Sequence, residues 1–253
     1  MCFGFDASPP DLPADVAPIA GGAGAELLEL ESADGTRFSA ALAESPEASG
    51  RAVVILPDVR GLYPFYSELA ERFASAGHHA IAVDYFGRTA GLGPREEDFD
   101  YTQYIPQTRS AEIQADAGAA VAALRERTGA EEVASVGFCF GGTQSFLAST
   151  NAELDLDGVV GFYGGLNPER WGDMSPIHRA REMRGPVLGL YGGADEGIPP
   201  EQVEAFERNL SEARVQYEII TYAGAPHSFF DRRFEEHARA CEDAWRRVLT
   251  FLA

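Results

Sequence analysis

Glu132-Val133-Ala134-Ser135-Val136-Gly137-Phe138-Cys139-Phe140-Gly141-Gly142 reads as a short apolar strand, a sharp turn and the small-residue start of a helix. A side chain at the centre of such a turn is forced out of the backbone and presented to whatever binds there. Gly137 and Gly141, two residues to either side of Cys139, give the chain room to bend that tightly. The group presented is a thiol. Near its free pKa a thiol is only a minor fraction thiolate at neutral pH, so as a nucleophile it needs a base beside it.

Outward from this turn, strands and helices alternate. Glu26 to Glu31 and Phe38 to Leu42 read as a strand pair joined around Asp34-Gly35. Ala52 to Leu56 is a continuous apolar run, as expected of a strand buried on both faces. Phe65, Leu69 and Phe73 repeat at helical spacing before a stop at Gly77, and Ala80 to Val83 is the next strand. Ile113, Ala117, Val121 and Leu124 mark a long helix leading to the strand Glu132 to Val136. Val159 to Tyr163, Val187 to Tyr191 and Tyr217 to Thr221 complete the strands. Helices carry Val203, Phe206 and Leu210, and finally Phe234, Ala238, Cys241, Trp245, Val248 and Leu252. The alternation predicts an α/β fold with a mostly parallel twisted sheet and helices on both faces. Residues 1–25, rich in Pro, Gly and Ala, read as a loosely ordered N-terminal arm, and 26–253 as a single domain.

The formal net charge of −20 and pI of about 4.5 should repel phosphate backbones, which argues against a nucleic-acid partner. No segment has the length and apolarity of a membrane span, and no secretory signal is read at the N-terminus. Three cysteines, Cys2, Cys139 and Cys241, are too few and too odd for a disulfide scaffold. A cytoplasmic location suits a catalytic thiol.

Chemistry is sought beyond the carboxyl ends of the strands, where such sheets bind ligands. Cys139 follows one strand, Asp195 follows Leu188-Gly189-Leu190-Tyr191, and His227 follows the strand at Tyr217 through Gly224-Ala225-Pro226. An imidazole can take the thiol proton, and a carboxylate can fix the imidazole tautomer and stabilise the imidazolium. The backbone N–H groups of Phe140 and Val59 are the expected oxyanion hole. Cys241 lies on a core stripe and reads as a small buried hydrophobe, while His78, His79, His178 and His237 read as surface or structural residues. No histidine pair has zinc-protease spacing and the cysteines form no metal cluster, so neither metal nor organic cofactor is expected.

These segments resemble the dienelactone hydrolase family, cysteine members of the α/β-hydrolase fold, over essentially residues 26–253. The resemblance is carried by Val53 to Gly61, Asp84 to Arg88, the Gly137 to Gly142 turn, Gly161 to Gly164, Asp195 with Ile198-Pro199, and Gly224 to Phe229. The order nucleophile, acid, histidine is also that of the fold. The resemblance implies carboxymethylenebutenolidase-type hydrolysis of a small ester or enol lactone through an acyl-thioester. It implies that Asp58, where the family has a glutamate, modulates the thiol with a side chain one methylene shorter. Arg88 matches an arginine that holds a substrate carboxylate, and Tyr85 and Tyr163 match pocket positions. A second family arginine is replaced here by Asp231, which leaves Arg60 and Arg232 as substitutes. Residues 89–106 and Trp171 are expected to cover the mouth. The rivals are a broad-range carboxylesterase and a non-catalytic thiol sensor. The mark of a sensor would be a missing triad member, and none is missing.

Overall fold

The computed structural model describes residues 4–22, 24–167, 174–231 and 235–253. Trp171, Arg232 and Phe234 lie outside them. The strands are β1 (Glu26–Glu31), β2 (Arg37–Ala43), β3 (Ala52–Leu56), β4 (Ala80–Val83), β5 (Val133–Phe138), β6 (Gly158–Phe162), β7 (Val187–Gly192) and β8 (Tyr217–Tyr222). They form one sheet in the order β1-β2-β4-β3-β5-β6-β7-β8. The β1–β2 and β2–β4 pairs are antiparallel and every other pair is parallel. The helices are α1 (Pro64–Ser75), α2 (Gly87–Ala90), α3 (Ser110–Thr128), α4 (Phe140–Ala148), α5 (Pro176–Arg179), α6 (Pro200–Glu212) and α7 (Ala238–Leu252). No described helix is long and apolar enough to cross a membrane.

The unbroken apolar run of β3 follows from its central place. Successive side chains of a strand point to opposite faces, and here both faces are covered. Val53 and Ile55 join a core with Phe65, Leu69 and Phe73 of α1 and Trp245 and Val248 of α7. Val54 and Leu56 join a second core with Ile81 and Val83 of β4 and Ile113, Val121 and Leu124 of α3. Fully burying a side chain of this kind contributes roughly 1.5–3 kcal/mol. A polar substitution on either face of β3 would therefore break the layer.

Two features depart from the sequence reading. The strand before the turn runs to Phe138, two residues past the Val136 expected, because Gly137 and Phe138 keep the parallel ladder with Gly161 and Phe162. The N-terminal arm has no helix or strand among its described residues, yet it lies against α1 and α7. Trp245 Nε1–H donates to Pro10 O at 3.1 Å, Ile19 N–H donates to Ser75 O at 2.8 Å, and Ala7 joins the core. Arg72 pairs with Asp11 at 3.1 Å and Arg246 with Asp15 at 2.8 Å.

Candidate active site

The register brings the ends of five parallel strands to one edge, with Leu56 opposite Gly137, Phe138 opposite Phe162, and Gly192 opposite Tyr222. Asp58, Cys139, Tyr163, Asp195 and His227 each follow one of these ends. Cys139 has φ 53° and ψ −113° and caps α4. Its N–H donates to Phe162 O at 3.0 Å, which ties the turn to β6. The flanking glycines are needed for space. A Cβ on Gly141 would lie 2.0 Å from Leu56 O and 2.2 Å from Pro57 O, and one on Gly137 would lie 2.0 Å from Gly141 O. The half-buried thiol thus stands at a helix N-terminus, where unpaired backbone N–H groups and the helix dipole favour negative charge.

Cys139 is not the only strained residue at this edge. Tyr163 has φ 37° and Ser228, beside His227, has φ 58°. Left-handed backbone at a non-glycine residue costs about 1–3 kcal/mol and persists where the surroundings over-determine it. The other two such residues described, Asp155 and Arg214, sit in connecting turns.

Asp195 and His227 are held together by their loops as well as their side chains. Ala194 N–H donates to Ala225 O at 2.9 Å and Gly193 N–H to Tyr222 O at 2.8 Å. His227 Nδ1 lies 2.6 Å from Asp195 Oδ2, and Gly197 N–H donates to Oδ1 at 2.9 Å. An ionised Asp195, acceptor at both oxygens, selects the tautomer with its proton on Nδ1 and leaves the Nε2 lone pair as a base.

Tyrosines connect these parts. The Tyr163 ring centroid is 4.9 Å from that of His227. The Tyr163 phenol is pushed well above its ordinary pKa, first by burial and then by the charges of Cys139 and Asp58. Burial, Asp58, Asp84 and Cys139 do the same to Tyr85, whose hydroxyl donates to Pro57 O at 2.8 Å and whose ring meets Phe140 edge-on at 5.4 Å. Both phenols stay neutral hydroxyls next to the thiol. Asp58 is fully buried, its N–H donates to Tyr66 Oη at 2.8 Å, and its Oδ1 accepts Arg60 N–H at 2.9 Å. Tyr66 escaped the sequence reading. Its neighbour Phe65 set the helical stripe, and nothing in the sequence pairs the Tyr66 hydroxyl with a loop amide.

Val59 is buried and shares the second core with Phe140 and Tyr85. Arg60 lies in the same loop, its Cζ 5.7 Å from the Tyr63 ring centroid. Arg88 is not brought to this group. Its Nη2 lies 3.0 Å from both Asp34 Oδ2 and Asp116 Oδ1, in a cluster that joins the β1–β2 turn to α3. Asp231 is fully buried near the arm, with Ser8 N–H 3.4 Å from its Oδ1, and Arg232 falls outside the described residues. The stretch 89–106 is pinned to the segment after β4. Arg95 grips Asp84 through Nε at 3.0 Å and Nη2 at 2.6 Å, and the stacked Phe99–Tyr104 pair packs on Phe86. The remaining histidines that can be placed by their bonds are structural. His78 Nδ1 lies 3.0 Å from Arg51 O, and His79 Nδ1 accepts Ser45 N–H at 3.1 Å.

A family model described as "Dienelactone hydrolase family" matches residues 38–253. The chain belongs to the dienelactone hydrolase family. It is 31% identical over 258 residues to a Saccharolobus solfataricus protein described as "Putative carboxymethylenebutenolidase", covering 87% of this chain and 95% of that one. A Synechocystis protein with the same description is 32% identical over 206 residues, covering 78% of this chain and 82% of the relative. The crystal structure described as "Putative Dienelactone Hydrolase" from Klebsiella pneumoniae superposes with a TM-score of 0.76 at 28% identity. It covers 89% of this chain and 98% of that one. A dienelactone hydrolase-like promiscuous phosphotriesterase from metagenomic libraries gives 0.73 at 25% identity, covering 90% and 98%. The fold is therefore that of the α/β-hydrolases, and the protein is a member of a hydrolase family.

Proposed function

We propose that this family member is a cysteine-dependent hydrolase of small carboxylic esters and lactones, with Cys139, His227 and Asp195 as its triad. One observation carries the reading. The His227–Asp195 hydrogen bond, 2.6 Å long, is held at the same strand edge as a thiol on a strained elbow. The relatives described as carboxymethylenebutenolidases support an enol lactone as substrate.

In this mechanism His227 Nε2 takes the Cys139 proton and the sulfur attacks the carbonyl carbon. The carbonyl π pair moves onto oxygen, where the N–H groups of Phe140 and Val59 receive it. Each such donor is worth on the order of 10²–10³ in rate. Collapse breaks the bond to the leaving oxygen, which takes the imidazolium proton, and an enol released in this way tautomerises to the ketone, so that His227 is again neutral. Water then loses a proton to His227 and attacks the thioester, and the released thiolate is reprotonated. Asp58 tunes the resting thiol, and Tyr85 and Tyr163 wall the pocket. A reducing compartment such as the cytoplasm keeps the nucleophile available.

The pairing of Arg88 with Asp34 and Asp116 favours a second reading, a carboxylesterase of different substrate range. Rates on carboxymethylenebutenolide and on neutral p-nitrophenyl butyrate separate the two. Cleavage of both is expected, and turnover of the p-nitrophenyl ester alone selects the second reading. Cys139→Ala should lower kcat by about 10⁴-fold or more. An alanine variant with full activity would refute the triad.

A further inference from the structure

We propose that Tyr66 and Tyr85 are positioning residues that clamp the oxyanion-binding loop to the nucleophile elbow, an inference that rests on the ester-hydrolase reading above. Both hydroxyls act on one peptide unit. The carbonyl of Pro57 and the N–H of Asp58 are the two polar ends of the same planar group. Tyr85 Oη donates to that carbonyl at 2.8 Å, and Tyr66 Oη accepts that N–H at 2.8 Å. The two side chains come from different elements, Tyr66 from α1 and Tyr85 from the segment just past β4. Both are buried. Turning the peptide plane would break a hydrogen bond at each end and leave buried polar groups without partners, which is costly. First burial and then the charge of Asp58 push both phenols well above their ordinary pKa, so both stay hydroxyls.

The rings of the same two side chains reach the elbow. Tyr66 packs on Phe138 with ring centroids 5.8 Å apart, and Tyr85 meets Phe140 at 5.4 Å. These are the residues immediately before and after Cys139. Pro57 O itself lies so close to Gly141 that a Cβ there would be 2.2 Å away. The clamp therefore joins the loop after β3 to the turn after β5 on both flanks of the sulfur. The next peptide unit carries the Val59 N–H, the proposed oxyanion donor that lies outside the elbow. Its carbonyl end, Asp58 O, accepts Gly61 N–H at 3.1 Å, and the unit is trans, so the Val59 N–H points the opposite way. One α-carbon, that of Asp58, separates this unit from the clamped one, and the Asp58 carboxylate is tied to Arg60 N–H. The direction of the Val59 N–H relative to Cys139 is thus set through the two tyrosine hydroxyls.

The test removes one hydroxyl at a time and leaves the rings in place. In Tyr66→Phe and in Tyr85→Phe, kcat for p-nitrophenyl butyrate should fall about tenfold or more with KM within about threefold, because an oxyanion donor acts on the transition state and not on the bound ester. A role in packing alone would lower the unfolding midpoint and leave kcat of the folded protein unchanged. Since both hydroxyls hold one peptide unit, the double variant should lose clearly less than the product of the two single losses. Hydrogen exchange followed by mass spectrometry should show the amides of residues 57–62 exchanging about fivefold faster or more in each variant, with β5 unchanged. A kcat within about twofold of wild type in both single variants would overturn the proposal, as would losses that simply multiply in the double variant. If the wild-type protein cleaves no ester, the hydrolase reading fails, and unchanged exchange at residues 57–62 would then overturn the clamp on its own.

Discussion

Two clusters of titratable groups sit on either side of β4, and they spend their charge differently. At the ends of β5, β7 and β8, Cys139, His227 and Asp195 share a strained edge, and Asp195 engages the Nδ1 side of the His227 ring, leaving Nε2 for the proposed base. At the corner of the β1–β2 turn, α2 and α3, Ser32, Asp34, Arg88 and Asp116 bind one another. The first cluster holds strain and an unspent base, and the second holds complementary charge with no strained backbone. Burial of charge therefore does not by itself mark a functional site. The proposed site is instead the place where burial coincides with strained backbone.

The comparison breaks most readily at Asp195. Asp195→Asn keeps the shape but removes the charge that selects the Nδ1–H tautomer. Its kcat for ester cleavage should fall on the order of 10³–10⁴-fold with little change in KM, measured at saturating substrate. A loss below tenfold would leave the two clusters indistinguishable as sources of catalysis.

Arg88→Met probes the other cluster. It strands Asp116, which is buried to 3% side-chain exposure, without its counter-ion. Breaking a buried pair from one side costs about 3–5 kcal/mol, to be read from urea unfolding. The folded variant should keep kcat/KM within about tenfold, since the Arg88 guanidinium points to α3. A selective loss on carboxylate-bearing esters with no loss of stability would return Arg88 to the site.

Local sequence patterns placed the residues of one cluster at the strand ends, and the pairing of Arg88 in the other could not be read from them, for a physical reason. The elbow, the strand ends and the order of the triad are local patterns. Strand boundaries read from apolar runs came within one or two residues because β3 to β7 are buried on both faces. The destination of Arg88 depends on Asp34 and Asp116, which only the antiparallel β1–β2–β4 edge and the packing of α3 bring near it. The same holds for the arm, whose fastening on Trp245 joins the two ends of the chain. The Asp58–Tyr66 and Arg95–Asp84 contacts likewise join residues whose types alone carry no pairing signal.

The smallest expected effect sharpens the comparison through pH. Burial raises the Asp116 carboxyl to about 6, against the opposing pull of Ser32 and Arg88. An acid whose folded pKa lies above its unfolded value holds its proton more tightly when folded. Its contribution to stability is fully present below the unfolded value of 3.8 and is lost as pH rises through about 6. The change over that window is at most about 3 kcal/mol. Other carboxylates titrate in the same range, so the quantity to follow is the difference between wild type and Asp116→Asn. Unfolding free energies measured from pH 4 to pH 7 should show the wild type losing ground to the variant up to about pH 6, then running parallel to it. A difference independent of pH would mean that Arg88 already holds Asp116 ionised throughout. The corner would then be an ordinary ion pair, its charge fully matched at every pH measured.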